Sequence, residues 1–149
     1  MTPCGAGAQG LVSVAMLATS LLGAPALSAE PAAALPLRVL LVGDSTTASG
    51  GGYGDSLCRR FKPPVECLNL GFNGRSSGSY RAEGLWPSVL DRVREGGAGT
   101  VVLIQFGHND QPGKPGRSTD LANEFPANLT RYLVEVKAVG GLPVLVTPL

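Results

Sequence analysis

The sequence predicts an α/β fold built on a mostly parallel sheet. Four short apolar runs alternate with three stripes of apolar residues at helical spacing, in the order β-α-β-α-β-α-β. The runs also lack in-and-out alternation, which is the pattern of strands buried on both faces.

Val39–Val42 is the first strand and stops at Gly43. Tyr53, Leu57 and Phe61 recur every four residues and end before Pro63-Pro64, which predicts the first helix. Leu68-Asn69-Leu70, before Gly71, is a weaker second strand. Leu85, Val89 and Val93 form the second helical stripe, with Pro87 tolerated in the first turn and Gly96 as the stop. Val101–Phe106 is the strongest strand and closes at Gly107. Phe125, Leu129, Leu133 and Val136 form the third stripe, with Pro126 near its start and Gly140 past its end. Val144–Val146 is the fourth strand. These stripes read as core faces. Right-handed crossovers place helices on both sides of such a sheet, and ligands bind beyond the carboxyl ends of its strands. Polar and glycine-rich segments follow the strands at Gly43–Thr46, Gly71–Ser79 and Gly107–Asp110, so architecture and chemistry point to one rim. Gln111–Asp120 is a polar loop, open to use as a substrate contact or as plain connection.

Composition narrows the function. Twelve Lys and Arg against eleven Asp and Glu give a net charge of +1, which leaves no basic excess for a nucleic-acid backbone. Hydrophobic residues are 44% of the 149, which excludes intrinsic disorder. His108 is the single histidine, so a multi-histidine metal site is impossible. Glycines 50–54 do not make a dinucleotide fingerprint, because its third glycine would fall at Asp55.

Before Arg38 there is no Lys or Arg, and Leu11–Leu22 is apolar with small residues. Gly23-Ala24-Pro25-Ala26 follows. Residues 1–29 therefore read as a secretory signal peptide cleaved between 26 and 29, leaving 30–149 as the domain in a secreted or periplasmic protein. The apolar run falls short of the roughly 20 residues a spanning helix needs, so no stable membrane anchor is expected. Export would put Cys58 and Cys67 in an oxidising compartment, where they either pair or remain two buried thiols. Asn128-Leu129-Thr130 is a glycosylation sequon within the third helical stripe.

A Ser directly after a buried strand sits on a turn at the rim, where it serves as a nucleophile or merely caps the next helix. Ser45 holds that place. Gly74 lets a backbone N–H approach a ligand closely, and Asn109 follows the strongest strand with a side-chain amide donor. Such donors are what a nucleophilic Ser requires for the oxyanion it creates.

Gly43-Asp44-Ser45-Thr46, then Asn69-Leu70-Gly71-Phe72-Asn73-Gly74-Arg75-Ser76, then Phe106-Gly107-His108-Asn109-Asp110 resemble the SGNH (GDSL-type) hydrolases. With Tyr80-Arg81-Ala82-Glu83-Gly84, the sequence is most similar to the rhamnogalacturonan acetylesterase group of carbohydrate esterases. The resemblance implies a three-layer, flavodoxin-like parallel sheet. It implies Ser45 as nucleophile, an oxyanion hole from the backbone N–H groups of Ser45 and Gly74 and the Asn109 amide, and Asp44 organising the turn. It implies hydrolysis of carboxylic esters, often O-acetyl groups on polysaccharides, with no metal or cofactor. The partner would be an acetylated polysaccharide or another small ester.

The family places its base in an Asp-x-x-His motif near the carboxyl end, and no such motif occurs here. The chain thus reads as the amino-terminal part of the domain, truncated after the fourth strand. His108 fills the variable position of Gly-x-Asn-Asp, which suits a structural or substrate-contacting histidine better than the base. Two other readings stand beside the esterase: a non-catalytic or degenerate carbohydrate-binding copy, and a lipase or thioesterase of the same family with a non-sugar substrate.

Overall fold

The computed structural model describes residues 37–148; the signal peptide read at 1–29 lies outside the described residues. In chain order the elements are β1 (Arg38–Gly43), α1 (Gly54–Cys58), β2 (Glu66–Asn69), α2 (Ser79–Ala82), α3 (Trp86–Gly96), β3 (Thr100–Gln105), α4 (Glu124–Ala138) and β4 (Leu142–Leu145). The strands form one sheet in the order β2-β1-β3-β4, and every neighbouring pair is parallel.

This order explains the layers. The connection from β1 to β2 runs one way across the sheet, whereas those from β2 to β3 and from β3 to β4 run the other way. Right-handed crossovers therefore set α1 on one face and α3 and α4 together on the opposite face. Alternation along the strands agrees: Leu40, Val42, Val102 and Ile104 are buried in one cluster with Val89 and Val93 of α3 and Tyr132 and Val136 of α4. β1 is flanked on both sides, and Val39 to Val42 are all buried, as its unbroken apolar run requires.

Tyr132 anchors the helical side. Its ring stacks on Phe106 at 5.4 Å and meets Trp86 edge-on at 4.5 Å. Arg81 lies 5.1 Å over the same ring and reaches both oxygens of Glu135, at 3.0 and 2.8 Å. Trp86 Nε1 donates to Glu135 as well. The Arg81 guanidinium holds the Glu135 carboxyl below its ordinary range; partial burial opposes this, and the Trp86 N–H adds to it. A depressed carboxylate stabilises the fold above the unfolded-state pKa, and that contribution is lost as pH falls through the folded value. Glu135→Gln is accordingly expected to lower stability at pH 7 by about 1 kcal/mol, a value kept small by the pair's exposure. The gap to the parent should narrow as pH falls below the ordinary glutamate range, about 4.3, toward the lower folded value. Urea melts at pH 7 and pH 3 check this, and an equal gap at both would contradict it.

Where the elements differ from expectation, local chemistry explains it. α1 is shorter than the stripe from Tyr53 to Phe61, because Cys58 is disulfide-bonded to Cys67 at a Cα separation of 5.2 Å and the chain turns back toward β2. The pair is thus joined rather than two free thiols. α2 carries too few apolar residues for a periodic signal. The turn that leads into it is held by reciprocal serine bonds, Ser79 N donating to Ser76 Oγ at 3.2 Å and Ser76 N to Ser79 Oγ at 2.9 Å. β4 begins at Leu142 rather than Val144 and includes Pro143. A proline fits there because β4 is the edge of the sheet among the described residues. Leu142, Val144 and Leu145 are exposed on it.

Candidate active site

β1 and β3 end together, with Gly43 opposite Gln105, so their loops leave the sheet side by side. The loop after β1 is wound around Asp44, which is buried. Asp44 Oδ1 accepts from Thr46 N at 2.9 Å and from the Thr46 hydroxyl at 2.8 Å. Its backbone carbonyl accepts from Thr47 N at 3.1 Å, Ala48 N at 3.0 Å and Thr47 Oγ1 at 3.0 Å. Ser45 is thereby carried on a closed turn, half-buried, and its hydroxyl makes no hydrogen bond among the described residues. The expected role of Asp44 as organiser of the turn has this geometry behind it. Ser45 is not a helix cap, since α1 starts nine residues beyond it and the N-cap position holds Tyr53.

Gln105 supports the turn from β3. Its Oε1 accepts from Tyr53 Oη at 2.9 Å and lies 3.1 Å from the Thr46 hydroxyl, and its Nε2 donates to the Thr147 carbonyl at 2.8 Å. Burial, then the Asp44 charge, push the Tyr53 phenol above its ordinary pKa, so it remains a donor at neutral pH.

The second loop lies against the first. Phe72 N donates to Gly43 O at 2.9 Å, and Gly71 N to Asn69 Oδ1 at 3.1 Å. A Cβ on Gly71 would fall 2.2 Å from Thr47 Oγ1 and 2.8 Å from Ala48 N, so only glycine permits this approach. Gly74 has φ of +73°, the left-handed region that favours glycine.

The third loop joins the second through two adjacent residues. Asn109 is 4% exposed, and its Nδ2 donates to the Arg75 carbonyl at 3.1 Å. Asp110 is wholly buried and accepts from Ser77 N, from Ser77 Oγ at 2.6 Å and from Thr119 Oγ1 at 3.1 Å. Ser77 in turn accepts from Asn128 Nδ2 at 3.1 Å and, at its carbonyl, from Tyr132 Oη at 2.8 Å. The sequon asparagine is therefore engaged inside α4. Asp110→Ala would leave the buried Ser77 donors unsatisfied, and a loss of roughly 3 kcal/mol is expected. Chemical denaturation measures it; a loss below about 0.5 kcal/mol, the level of an ordinary surface change, would contradict the account.

The structure thus brings Gly74 and Asn109 together through Arg75 and seats Ser45 on the neighbouring loop of the same rim. His108 is exposed and makes no side-chain hydrogen bond among the described residues, while its neighbour Asn109 is buried. No family model matches the chain. Over 118 residues it is 29% identical to the probable rhamnogalacturonan acetylesterase YesY of Bacillus subtilis, covering 74% of this chain and 53% of that protein. The rhamnogalacturonan acetylesterase RhgT of the same organism is 34% identical over 119 residues, 75% of this chain and 49% of RhgT. This chain resembles the rhamnogalacturonan acetylesterases. A third relative, the rhamnogalacturonan acetylesterase of Emericella nidulans, is 41% identical over 78 residues, 52% of this chain and 30% of that one. The chain spans about half the length of the two Bacillus relatives.

Two supporting residues escaped the sequence reading. Gln105 had a signal, a polar residue inside an otherwise apolar strand. Asp110 stood within a quoted motif, but nothing in the motif marks it as the buried tie between loops.

Two clefts flank the loops. One of about 470 Å³ is lined by Ser49, Asn69, Phe72 and Asn73 among others. The other, of about 600 Å³, includes Ser79, Glu83, Arg117, Asn128 and Arg131. Among the described residues no helix is long and apolar enough to cross a membrane, and no three potential metal ligands cluster.

Proposed function

We propose that the protein is an exported serine esterase that removes O-acetyl groups from a polysaccharide of the rhamnogalacturonan kind. The observation that carries the reading is an unengaged Ser45 hydroxyl on a braced turn, on the same rim as the loops of Gly74 and Asn109, which are tied to each other through the Arg75 carbonyl. The names of the relatives supply the substrate class. The cleft lined by Ser79, Glu83, Arg117, Asn128 and Arg131 is polar and suits a hydroxyl-rich ligand, and the Cys58–Cys67 disulfide suits an oxidising compartment.

In this reading Ser45 Oγ attacks the acetyl carbonyl carbon, and its proton passes to a base. The carbonyl oxygen becomes an oxyanion held by the backbone N–H groups of Ser45 and Gly74 and by Asn109 Nδ2. Collapse breaks the ester C–O bond, and the departing sugar oxygen takes the proton. Water then hydrolyses the acetyl-serine by the reverse roles. His108, exposed beside the buried Asn109, is not assigned as the base.

The test is acetate release from acetylated rhamnogalacturonan by the complete gene product. Release of acetate is expected. Binding of the polysaccharide without release would favour the non-catalytic reading, and turnover of long-chain acyl esters alone would favour a lipase or thioesterase.

A further inference from the structure

We propose that Arg117 is a positioning residue that sets the two donors contributed by Gly74 and Asn109; the inference rests on the oxyanion-hole reading above. Its NH1 lies 3.4 Å from the Gly74 carbonyl and 3.4 Å from Asn109 Oδ1. A Cβ built on Gly74 would come within 3.1 Å of the same nitrogen, so the guanidinium sits directly over that residue. Arg117 is half-buried, and no carboxylate pairs with it among the described residues. Its position is not that of a loose surface cation.

The loop that carries it is cross-braced. Arg117 N donates to Lys114 O at 2.9 Å, the Ser118 hydroxyl donates to the Gln111 carbonyl at 2.8 Å, and Thr119 N donates to Asp110 O at 3.0 Å. Asp110 is the buried residue that ties the second loop to the third. The loop that carries the cation is therefore anchored, two residues beyond Arg117, to the same residue that joins the donor loops.

The chemistry of the contacts assigns the role. A guanidinium only donates, and a backbone carbonyl only accepts. Asn109 places Oδ1 toward Arg117 and Nδ2 toward the Arg75 carbonyl, so one orientation of the amide satisfies both neighbours. Nδ2 has two protons and spends one on Arg75, which leaves one for an oxyanion. The two contacts from NH1 are long and individually weak, yet they act on both donor loops at once. Without Arg117, the bond to Arg75 alone would orient the amide, and the peptide after Gly74 would lose its tie. A donor displaced in this way costs rate rather than ground-state binding, because the oxyanion exists only in the transition state.

The experiment compares Arg117→Met and Arg117→Lys with the parent in the complete gene product. The first readout is the ¹H–¹⁵N signal pair of the Asn109 side-chain amide, identified by its loss in Asn109→Ala. Arg117→Met should shift this pair and speed its exchange with solvent, and Arg117→Lys should restore part of the parent behaviour. The second readout is kinetic: kcat for acetate release should fall about tenfold in Arg117→Met, a fraction of the cost of removing a donor outright, with KM nearly unchanged and partial recovery in Arg117→Lys. An unmoved amide pair in Arg117→Met would overturn the proposal. So would a change confined to KM, which would make Arg117 a substrate contact. A parent without turnover would refute the esterase reading instead, and the amide signals would still decide whether Arg117 sets Asn109.

Discussion

Ser45→Ala is expected to abolish acetate release while leaving the fold intact. The hydroxyl makes no hydrogen bond among the described residues, and the side chain is only half-buried. Removing it should change stability by about 0.5 kcal/mol or less, as for surface positions without special contacts. The turn itself is held by Asp44, Thr46 and Thr47, none of which needs the Ser45 side chain. Chemically the same atom supplies the whole covalent path. Loss of a serine nucleophile typically lowers kcat on the order of 10⁶, and the donors left behind sustain only a residual rate over water. Acetate release and urea melting measured on one preparation separate the two effects. Retained turnover would remove Ser45 from the mechanism.

The second large effect is at Asn109. Asn109→Ala should lower kcat by about 10² to 10³ and change KM little, as for a donor used in the transition state. The residue is buried, and the substitution also breaks its bond to the Arg75 carbonyl, so about 1 kcal/mol of stability should go with it. Asn109→Asp keeps the shape and an oxygen facing Arg117, but it has no N–H, so it too loses the Arg75 bond and sets a negative charge beside that carbonyl and the developing oxyanion. Its kcat should fall at least as far as that of the alanine variant. A loss in KM alone, in either variant, would make Asn109 a substrate-binding residue.

The two faces of the sheet and the rim where the loops gather were legible in the sequence because they depend on burial. Val39–Val42 and Val101–Phe106 are apolar without alternation, and both lie in the middle of the sheet. The third stripe, which is α4, was legible in place and at Phe125 and Val136, which face the core. It singled out Leu133 where Tyr132 is the wholly buried neighbour, whose hydroxyl bonds the Ser77 carbonyl. A tyrosine reads as half polar in a periodicity count, and its partner lies 55 positions away. The same limit applies to the site. Ser45, Gly74 and Asn109 were found because each follows a strand and carries an obvious donor or nucleophile. Gln105, Asp110 and Arg117 act by holding other residues, and their partners are fixed only once three separate loops meet. The join between Cys58 and Cys67 was likewise undecidable from spacing, since it depends on where the end of α1 lies against β2.

The central claim is that Ser45 is the nucleophile and that Gly74 and Asn109 receive the oxyanion it forms. It is tested most directly by treating the complete gene product with a fluorophosphonate ester, which a serine nucleophile attacks to leave a stable tetrahedral adduct, and mapping the modified peptide by mass spectrometry. One adduct on Ser45 is predicted, absent in Ser45→Ala and formed about 10² to 10³ times more slowly in Asn109→Ala. An adduct on another residue, or one that forms on Ser45 at the same rate without Asn109, would contradict it.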